Sequence, residues 1–397
     1  MATQVSGRMV TLSTAVMGHP LRKRQLAELG SALSGLAPEL VEDPDPLSQR
    51  GTMRTARLTW SVMASRSSHH LVVQDDSVPA GHLVELLPEL VGVKPDAAIC
   101  LYADWSTTQA SLCRLAALWG ASWAPVLGRV PVQGLLLPRR LANGLRDHLD
   151  DDTTRWEPYD QAAQRHLRSA GAEIVVATPN LLDRAEIPSL LADADRPRRS
   201  CCFPPTGPGA WSAETCGVPE VLPHLAWSRG QAILVRTGAD RGRSPSRPVL
   251  DVLLSRGLDQ RELLAAFDAA LRATEARDRL DREVGGGFLF ELWLLGVALA
   301  GRYALGGPDG ATARAERVPD RDDSVGWSAL RTVAEGGLSK YVDPRCLAEL
   351  VDSTISLLCR GIHHGLSEMD GDRPLAEGDL LADDGHDRPP AEETELR

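Results

Sequence analysis

The sequence has too little positive charge for a protein that binds nucleic acid or anionic membranes. Its 397 residues include 43 basic and 54 acidic side chains, which give a formal net charge of −11. Because nucleic acids and anionic lipids attract basic surfaces, we expect no general affinity for either. Lysine is especially scarce, and only Lys23, Lys94 and Lys340 occur. With abundant Ala, Gly, Leu and Asp, this composition is typical of proteins from GC-rich bacterial genomes.

The sequence also lacks the long apolar segments of exported and membrane-spanning chains. The N-terminal stretch, "MATQVSGRMVTLSTAVMGHP", has no apolar centre of the length found in secretory signals. The most apolar later segment, residues 288–305, contains Glu291 and Arg302, and its uncharged part is short for a bilayer. We therefore expect a soluble, cytoplasmic protein without a membrane span. The seven cysteines are scattered and odd in number, which favours reduced thiols over a disulfide framework.

Several common catalytic and metal-binding motifs are missing. The sequence has no G-x-S-x-G elbow, and no strand leads into the glycine-rich "VGGGF" at residues 284–288. The neighbouring His363 and His364 follow a cysteine, but no sequence context marks that cysteine as a nucleophile. One further set lacks the C-x₂-C spacing of structural zinc sites, namely Cys201, Cys202, Cys216 and His224. The chemistry must therefore be sought elsewhere.

The first half of the chain alternates between strand-like and helix-like segments. The predicted strands are "MVTLSTAVM", "ELVED", "HHLVVQ", "DAAICLY", "PVQGLLLP" and "AEIVVATP". The segments between them have apolar residues three and four positions apart and predict helices over 21–36, 52–65, 80–91, 139–149 and 159–171. This order predicts an α/β domain over residues 1–195, with a largely parallel sheet and helices on its faces.

The second half has a different texture. Residues 196–249 are rich in Pro, Gly, Ser and Arg and predict a loop-rich connection, with one short strand at "QAILVRT". Residues 250–367 predict a mainly helical domain. In it, Asp259 caps one amphipathic helix over residues 258–280, and residues 286–305 form a central helix. The acidic residues 368–397 have few large apolar groups, so we expect a disordered tail.

Two neighbouring carboxylates follow the predicted strand "HHLVVQ". Asp75 and Asp76 repel each other, and their position near a core edge is costly unless a cation or water compensates them. In α/β sheets ligands bind at the carboxyl ends of parallel strands, where two carboxylates suit a hard cation such as Mg²⁺ or Mn²⁺. The same side chains could instead begin a turn or cap the helix near Ala80. The residues alone leave both interpretations open.

The surrounding segments resemble those of the GT-A glycosyltransferases. "HLVVQDDSVP" is similar to the block that carries the acidic DxD-type motif of that family. In the order expected for the family, the other similar segments are "MGHPLRKRQLAELGSAL", "RGTMRTARLTWSVMAS", "VPVQGLLLPRRLANGL", "EPYDQAAQRHLRSAG" and "EIVVATPNLLDR". The resemblance covers about residues 8–190, slightly under half of the chain. It implies a GT-A-like fold for the first domain.

The resemblance also implies a function. The protein would transfer a sugar from a nucleotide-sugar donor to an acceptor that the sequence does not identify: a protein, a peptide, a glycan or a natural product. Mn²⁺ or Mg²⁺ would be the cofactor, held by Asp75 and Asp76. The residues implied at the donor nucleotide are His19, Arg22, Arg57 and Asp75. Asp160 would be the base that takes the acceptor proton, because it opens a helix at the active edge of the sheet; its alternative role is a favourable charge at that helix N-terminus.

Other side chains near these segments have structural alternatives. Arg24 and Arg54 could contact the donor or belong to solvated helix faces. Trp60 could line the donor pocket, although a tryptophan at helical spacing is more often part of a core. His69 and His70 open the acid-bearing strand, and we expect at least one of them to serve packing. The helical domain could recognise the acceptor or form a homodimer.

Two positions depart from the family pattern and leave other functions open. Gln74 precedes the acidic pair, where an acid is frequent in one related group. Arg184 lies in the closing loop, where relatives often have a histidine that completes the metal site, and arginine cannot ligate a metal. A catalytically inactive GT-A-like binding or scaffold protein is therefore the main alternative. A nucleotidyltransferase, which would release pyrophosphate, is a third.

Overall fold

The computed structural model describes residues 2–5, 8–47, 51–151, 157–187, 198–204, 211–238, 246–304 and 324–369. These residues form two compact units. The first unit comprises the described residues within Met1–Ala185, Arg199–Val218 and Gly307–Gly336, and the second those within Glu186–Arg198, Pro219–Gly306 and Gly337–Arg397. The sequence-based boundary at residue 195 would place the two later segments of the first unit outside the first domain. The predicted acidic tail from residue 370 onward lies outside the described residues.

The described residues of the first unit contain ten strands. They are β1 (Ala2–Val5), β2 (Arg8–Gly18), β3 (Glu39–Glu42), β4 (His69–Gln74), β5 (Ser77–Pro79), β6 (Ala98–Cys100), β7 (Trp123–Pro125), β8 (Gly134–Pro138), β9 (Ile174–Ala177) and β10 (Leu182–Arg184). Eight of them form one sheet in the order β1-β2-β4-β8-β6-β9-β7, with β3 also paired to β2. The remaining two, β5 and β10, form a separate antiparallel pair.

Five strands of the main sheet run in the same direction. β2 is parallel to β3 and β4, and β6 is parallel to β9. β8 lies between β4 and β6 and is antiparallel to both, which gives β4 and β6 a common direction. The outer strands β1 and β7 are antiparallel to their neighbours. The predicted α/β class and the mostly common strand direction are confirmed, but the run "GLLLP" of β8 carried no sign of its reversed direction.

Helices separate these strands along the chain. They are α1 (Lys23–Ala32), α2 (Gly51–Ser61), α3 (Leu83–Val93), α4 (Thr108–Trp119), α5 (Arg139–Asp150) and α6 (Tyr159–Ser169). Five of them were predicted, and α4 was missed. Thr107 caps α4 by accepting a hydrogen bond from the Ala110 N–H at 3.3 Å, and Gly120 ends it with a φ of +70°. Because α4 is buried on nearly every side, its apolar residues show no helical period.

The second unit combines a small sheet with helices. Its strands are β11 (Val221–Ala226), β12 (Gln231–Arg236) and β13 (Ser246–Pro248), all antiparallel. The helices that follow are α7 (Val249–Ser255), α8 (Gln260–Arg272), α9 (Arg277–Glu283), α10 (Gly286–Ala304), α11 (Ser324–Leu338), most of which belongs to the first unit, and α12 (Pro344–Met369). The predicted helical character of this region is observed in the described residues.

Residues 221–236 differ from the expected loop-rich connection because they form a hairpin. β12 is the strand predicted at "QAILVRT", and β11 was missed. Pro223 lies within β11, where it is tolerated because β11 is an edge strand that pairs only with β12. Gly230, with a φ of +61°, provides the left-handed turn between the two strands.

Helix α8 begins where the sequence predicted a helix. Asp259 caps α8 by accepting hydrogen bonds from the N–H groups of Arg261 at 2.6 Å and Glu262 at 3.3 Å, as predicted. The single helix expected over residues 258–280 is broken before α9, where Ala276 has a φ of +53°.

No described helix is by itself long and apolar enough to cross a membrane, although the bent pair Arg277–Glu283 and Gly286–Gly301 together has the required length and composition.

Candidate functional site

The carboxyl ends of three neighbouring strands bring polar residues to one edge of the main sheet. β2, β3 and β4 are parallel, and the first residues after them are His19, Asp43 and Asp75. The backbone holds this edge in register, since the N–H groups of Asp43 and Asp75 donate to the carbonyls of Gly18 at 2.9 Å and Met17 at 3.0 Å. In α/β sheets this edge is the common place for a ligand crevice.

The acidic pair is buried at this edge. Asp75 is 6% exposed and Asp76 is 2% exposed. β4 ends at Gln74 and β5 begins at Ser77, so the two acids occupy the short link between a strand of the main sheet and a strand of the small one. Their side chains cannot be compensated by bulk water and depend on protein donors or a ligand.

Asp75 is held by the turn that follows β2. Its Oδ2 atom accepts a hydrogen bond from the backbone N–H of His19 at 2.7 Å, and its Oδ1 atom accepts one from Nη1 of Arg22 at 3.0 Å. Burial raises the pKa of Asp75 above its ordinary value; the His19 and Arg22 contacts oppose the shift, and the Asp76 charge adds to it. The predicted proximity of His19 and Arg22 to Asp75 is therefore observed.

A short 3₁₀ turn places these two partners. It spans Pro20–Arg22, and the ring of His19 caps it by accepting the Leu21 N–H at 3.2 Å. Pro20 suits the first position of such a turn because it has no N–H to satisfy. The turn brings the side chain of Arg22, only 10% exposed, back over the acidic pair. His19 thus contributes its backbone donor to the acid, while its ring stabilises the turn.

Asp76 is surrounded by three side-chain donors. Its Oδ2 atom forms ion pairs with Nη1 of Arg22 at 3.1 Å and Nη2 of Arg184 at 2.7 Å. Its Oδ1 atom accepts a hydrogen bond from the side-chain amide of Gln133, which lies just before β8. The antiparallel direction of β8 is what brings Gln133 to the same edge as the end of β4.

The small sheet delivers Arg184 to the acids. β10 pairs with β5 so that Arg184 lies opposite Ser77, and the N–H of Ala185 donates to the carbonyl of Asp76 at 2.8 Å. The approach of β10 depends on Gly134, because a Cβ atom there would collide with Leu182. Arg184 and Gln133 were not predicted as site residues. The "NLLDR" segment was compared only for a metal ligand, and the segment "VPVQGLLLPRRLANGL" was compared as a strand and helix, without a role for Gln133.

The side chains at the acidic pair do not form a divalent cation site, because the carboxylate oxygens already have partners. All four carboxylate oxygens already accept a contact from an N–H group of the chain. Within the described ranges, no group of three or more His, Cys, Asp or Glu side chains could hold a metal ion. Two guanidinium groups supply the positive charge that a metal would otherwise supply. The predicted binding of Mn²⁺ or Mg²⁺ stays a prediction, and no chemical step is assigned to it below.

Asp43 is a further buried acid at this edge that sequence reasoning missed. It is 4% exposed, and its Oδ1 atom accepts hydrogen bonds from Nε and Nη2 of Arg54 at 3.0 and 2.6 Å. Arg54 also donates to the carbonyl of Asp45 at 2.5 Å. Arg54, weighed as a donor-pocket residue, therefore orders the chain after β3. The available signal was an acid as the last residue of the predicted strand "ELVED", close to the position that Asp75 has after β4.

The end of β6 adds a buried tyrosine beside the acidic pair. Burial raises the pKa of Tyr102 well above its ordinary value, and the charges that act on it include those of Asp76, Asp183 and Arg184. Asp183 is itself neutralised by Arg199, whose Nε atom lies 2.8 Å from Oδ2. The residues around the pair therefore include further acids and arginines that carry opposite charges.

The other predicted site residues are not in direct contact with the acidic pair. Arg57 donates to the carbonyl of Asp151 at 3.5 Å. Asp160 lies in the first turn of α6, as predicted, and pairs with the partly exposed Arg129 at 3.5 Å. Trp60 is buried, and its Nε1 donates to the hydroxyl of Tyr159 at 2.9 Å, which makes it a core residue. The roles proposed for Arg57 and Asp160 remain predictions.

The histidines at the start of β4 serve packing, as expected. The Nε2 atom of His70 lies 2.9 Å from the Thr59 carbonyl, and its Nδ1 atom lies 2.8 Å from Oγ of Ser13. The Nε2 atom of His69 lies 2.9 Å from the Pro95 carbonyl. Burial lowers the pKa of both rings below their ordinary value.

No protein-family model matches the sequence, and no curated protein matches it either.

Proposed function

We propose that the protein is a GT-A-like glycosyltransferase that binds a nucleotide-sugar at the carboxyl edge of β4. The observation that carries this proposal is the buried pair Asp75 and Asp76, clamped between Arg22 and Arg184 at the edge where α/β sheets bind ligands. Buried charge of this density is expensive to maintain for stability alone, and such clusters are typical of functional sites.

The arginines suit the leaving group of the proposed reaction. The bond between the anomeric carbon of the sugar and a diphosphate oxygen breaks, and the acceptor oxygen bonds to that carbon. Negative charge then develops on the diphosphate, and guanidinium groups stabilise phosphate oxygens through paired N–H donors. Arg22 and Arg184 are the candidates for this role. Asp75 holds the turn at His19 and would in this way position the nucleotide-sugar donor.

The acceptor proton requires a base on the other side of the sugar. Asp160 remains the proposed base because α6 leads into β9, so that the first turn of α6 lies toward the carboxyl edge of the sheet. Its ion pair with Arg129 is long and partly exposed, and an acceptor could replace it. Asp160→Asn should then remove transfer while leaving donor binding intact.

A screen of nucleotide-sugars tests the proposal. Each donor is incubated with the full chain, once with Mn²⁺ and once with EDTA. Transfer of the sugar to water is measured as release of the nucleoside diphosphate. We expect slow hydrolysis of at least one donor and its loss in Asp76→Asn. Asp147→Asn should hydrolyse the donor normally and is the control, because the Asp147 carboxylate is exposed and pairs with the neighbouring Arg146. Absence of both binding and hydrolysis for every donor would refute the proposal.

One observation favours a second function. All four oxygens of the acidic pair are engaged, and Arg184, which was expected in a loop but ends strand β10, stands where relatives often have a histidine. A GT-A-like binding or scaffold protein without chemistry is therefore the alternative. Donor binding that raises the melting temperature without any hydrolysis would identify it. Release of pyrophosphate from a nucleoside triphosphate would instead identify the nucleotidyltransferase considered from the sequence.

The proposal extends to partners and location. The acceptor is a protein, peptide, glycan or natural product, and the helices of the second unit are the proposed region for acceptor recognition or for homodimer formation. We propose a cytoplasmic location and no nucleic-acid partner, given the net charge of −11. Size-exclusion chromatography with light scattering would test the dimer directly.

A further inference from the structure

We propose that Arg22 and Arg184 replace the divalent cation at the acidic pair, so that the chain binds the diphosphate of its donor without a metal. The inference rests on the proposed function, because it assumes a nucleoside diphosphate group in this crevice. It departs from the resemblance, which implies a metal held by Asp75 and Asp76.

The contacts of the two arginines are those expected of a bridging cation. Nη1 of Arg22 lies 3.0 Å from Oδ1 of Asp75 and 3.1 Å from Oδ2 of Asp76, so one donor group joins both carboxylates. Arg184 reaches the same Oδ2 atom at 2.7 Å. Two negative and two positive charges then balance without any further ion.

Both arginines are held by the backbone around them. Arg22 ends the 3₁₀ turn that also gives Asp75 the His19 N–H, and Arg184 ends a strand paired with β5. Guanidinium groups stay charged at every relevant pH, so this compensation is permanent. A divalent cation would have to displace both arginines from the same oxygens and would be repelled by them at short range.

The arrangement suits a diphosphate in particular. A guanidinium has five N–H donors in a planar fork that matches phosphate oxygens. Arg184 contacts Asp76 through Nη2, and its side chain is 20% exposed, twice the 10% of Arg22. Arg184 is therefore the arginine better placed to meet the leaving diphosphate, while Arg22 holds the acids together.

Isothermal titration with nucleoside diphosphates tests the inference. ADP, CDP, GDP, UDP and dTDP are titrated into the full chain in EDTA and again in MnCl₂. We expect at least one to bind in EDTA, with an affinity within about threefold of that in Mn²⁺, a difference well below one tenfold step in Kd. Arg184→Gln should weaken binding in EDTA at least about tenfold, the loss expected for one charge-assisted contact.

Lys94→Gln is the matched control. Lys94 is also a largely buried cation in the first unit, with 15% side-chain exposure and an ion pair to Glu173 at 2.7 Å, but it precedes β6 at the opposite edge of the sheet. The Lys94→Gln variant should bind nucleoside diphosphates with the affinity of the wild type. Thermal unfolding of every variant shows whether it is folded, and Arg184→Lys, which keeps the charge, serves if Arg184→Gln does not fold.

A gain-of-metal variant supplies an independent readout. Arg184→His removes one cation and adds a nitrogen ligand beside two carboxylates, so Mn²⁺ alone should raise its melting temperature but leave that of the wild type unchanged. Diphosphate binding that occurs only with Mn²⁺ in the wild type, or wild-type stabilisation by Mn²⁺ alone, would overturn the inference and leave the proposed function standing. Binding of no nucleotide or nucleotide-sugar under either condition would overturn both.

Discussion

The two ends of strand β4 carry two pairs of titratable residues that the fold treats in opposite ways. His69 and His70 open the strand, and their ring nitrogens lie near backbone carbonyls and serine hydroxyls. Asp75 and Asp76 follow the strand, and their main counter-charges are the side chains of two arginines. Both pairs are buried on one continuous segment of chain.

The two ends of β4 therefore have different roles: the histidine end packs in the core, and the acidic end is the proposed ligand site. Burial lowers the pKa of the histidines, so they reach the core as neutral rings with fixed partners. The acids stay paired with guanidinium groups that can exchange one oxygen acceptor for another without leaving the site. A ligand with phosphate oxygens can therefore enter at the acidic end, whereas no comparable exchange is available at the histidine end.

The largest effect should come from removing the shared cation of the acidic end. Arg22→Met leaves two buried carboxylates with Arg184 as their remaining guanidinium, and should lower the free energy of unfolding by about 3 kcal/mol in urea denaturation. Arg24→Met is the matched control two residues away, because Arg24 pairs with Glu28 with 85% of its side chain exposed. Equal unfolding midpoints for the two variants would show that the acids do not depend on Arg22.

A smaller effect is expected from a remote change that moves Arg184. Gly134→Ala places a methyl group against Leu182 and should displace β10, at a cost of about 1–3 kcal/mol for overpacking. Diphosphate binding in EDTA should weaken as well. Gly81→Ala is the control, since a Cβ atom there meets nothing within 4 Å. Unchanged stability and binding in Gly134→Ala would show that the position of Arg184 does not depend on the packing of β10 against β8.

The histidine end should show itself in the pH dependence of stability. Because burial lowers the pKa of His70 below its ordinary value of 6.5, the unfolded chain binds more protons just below that pH. Its contribution is complete above pH 6.5 and is lost as the pH falls through the folded-state pKa. His70→Asn should therefore flatten the fall in unfolding free energy between about pH 6.5 and 5. A slope equal to that of the wild type would contradict the burial of an uncharged ring.

The acidic end should give the opposite sign, and the smallest effect of the series. The pKa of Asp75 is raised above its ordinary value of 3.8, so between these values the folded chain binds more protons than the unfolded one. Its ionisation therefore costs stability as the pH rises from 3.8 through the folded-state pKa. Asp75→Asn should remove this term. The measurement is the difference in pH slope from the wild type, and a difference of the other sign would mean that the Arg22 pairing outweighs burial.

Residues near in sequence made much of this architecture predictable. The apolar residues of β4 and the acids after them predicted a strand with a polar end. The helical spacing of apolar residues predicted α1, α2, α3, α5 and α6. The partners of the acids were harder to predict, because Gln133 and Arg184 reach Asp76 through strand pairing across the sheet. A period of two or 3.6 residues contains no information on which distant strand will lie beside another.

The same limit explains the errors in the fold. β8 was predicted as a strand, but its antiparallel direction depends on its neighbours and leaves no trace in "GLLLP". α4 lacks an exposed face, and β11 contains Pro223, which argues against a strand unless the strand lies at an edge. Arg22 was found because a resemblance marked its turn, whereas Asp43 had a comparable position without one.

The span of chain that closes the site also sets when it can form. Asp75 and Arg22 are 53 residues apart and Asp76 and Gln133 are 57 apart, while Arg184 follows Asp76 by 184 − 76 = 108 residues. Each such contact carries a loop-closure cost that grows slowly with the length of chain it encloses, so the Arg184 contact costs the most of the three. A nascent chain that has emerged only as far as β9 still has Asp76 without Arg184. Completion of the small β5–β10 sheet is therefore the step that brings the second guanidinium to Asp76 and balances the charge of the acidic pair.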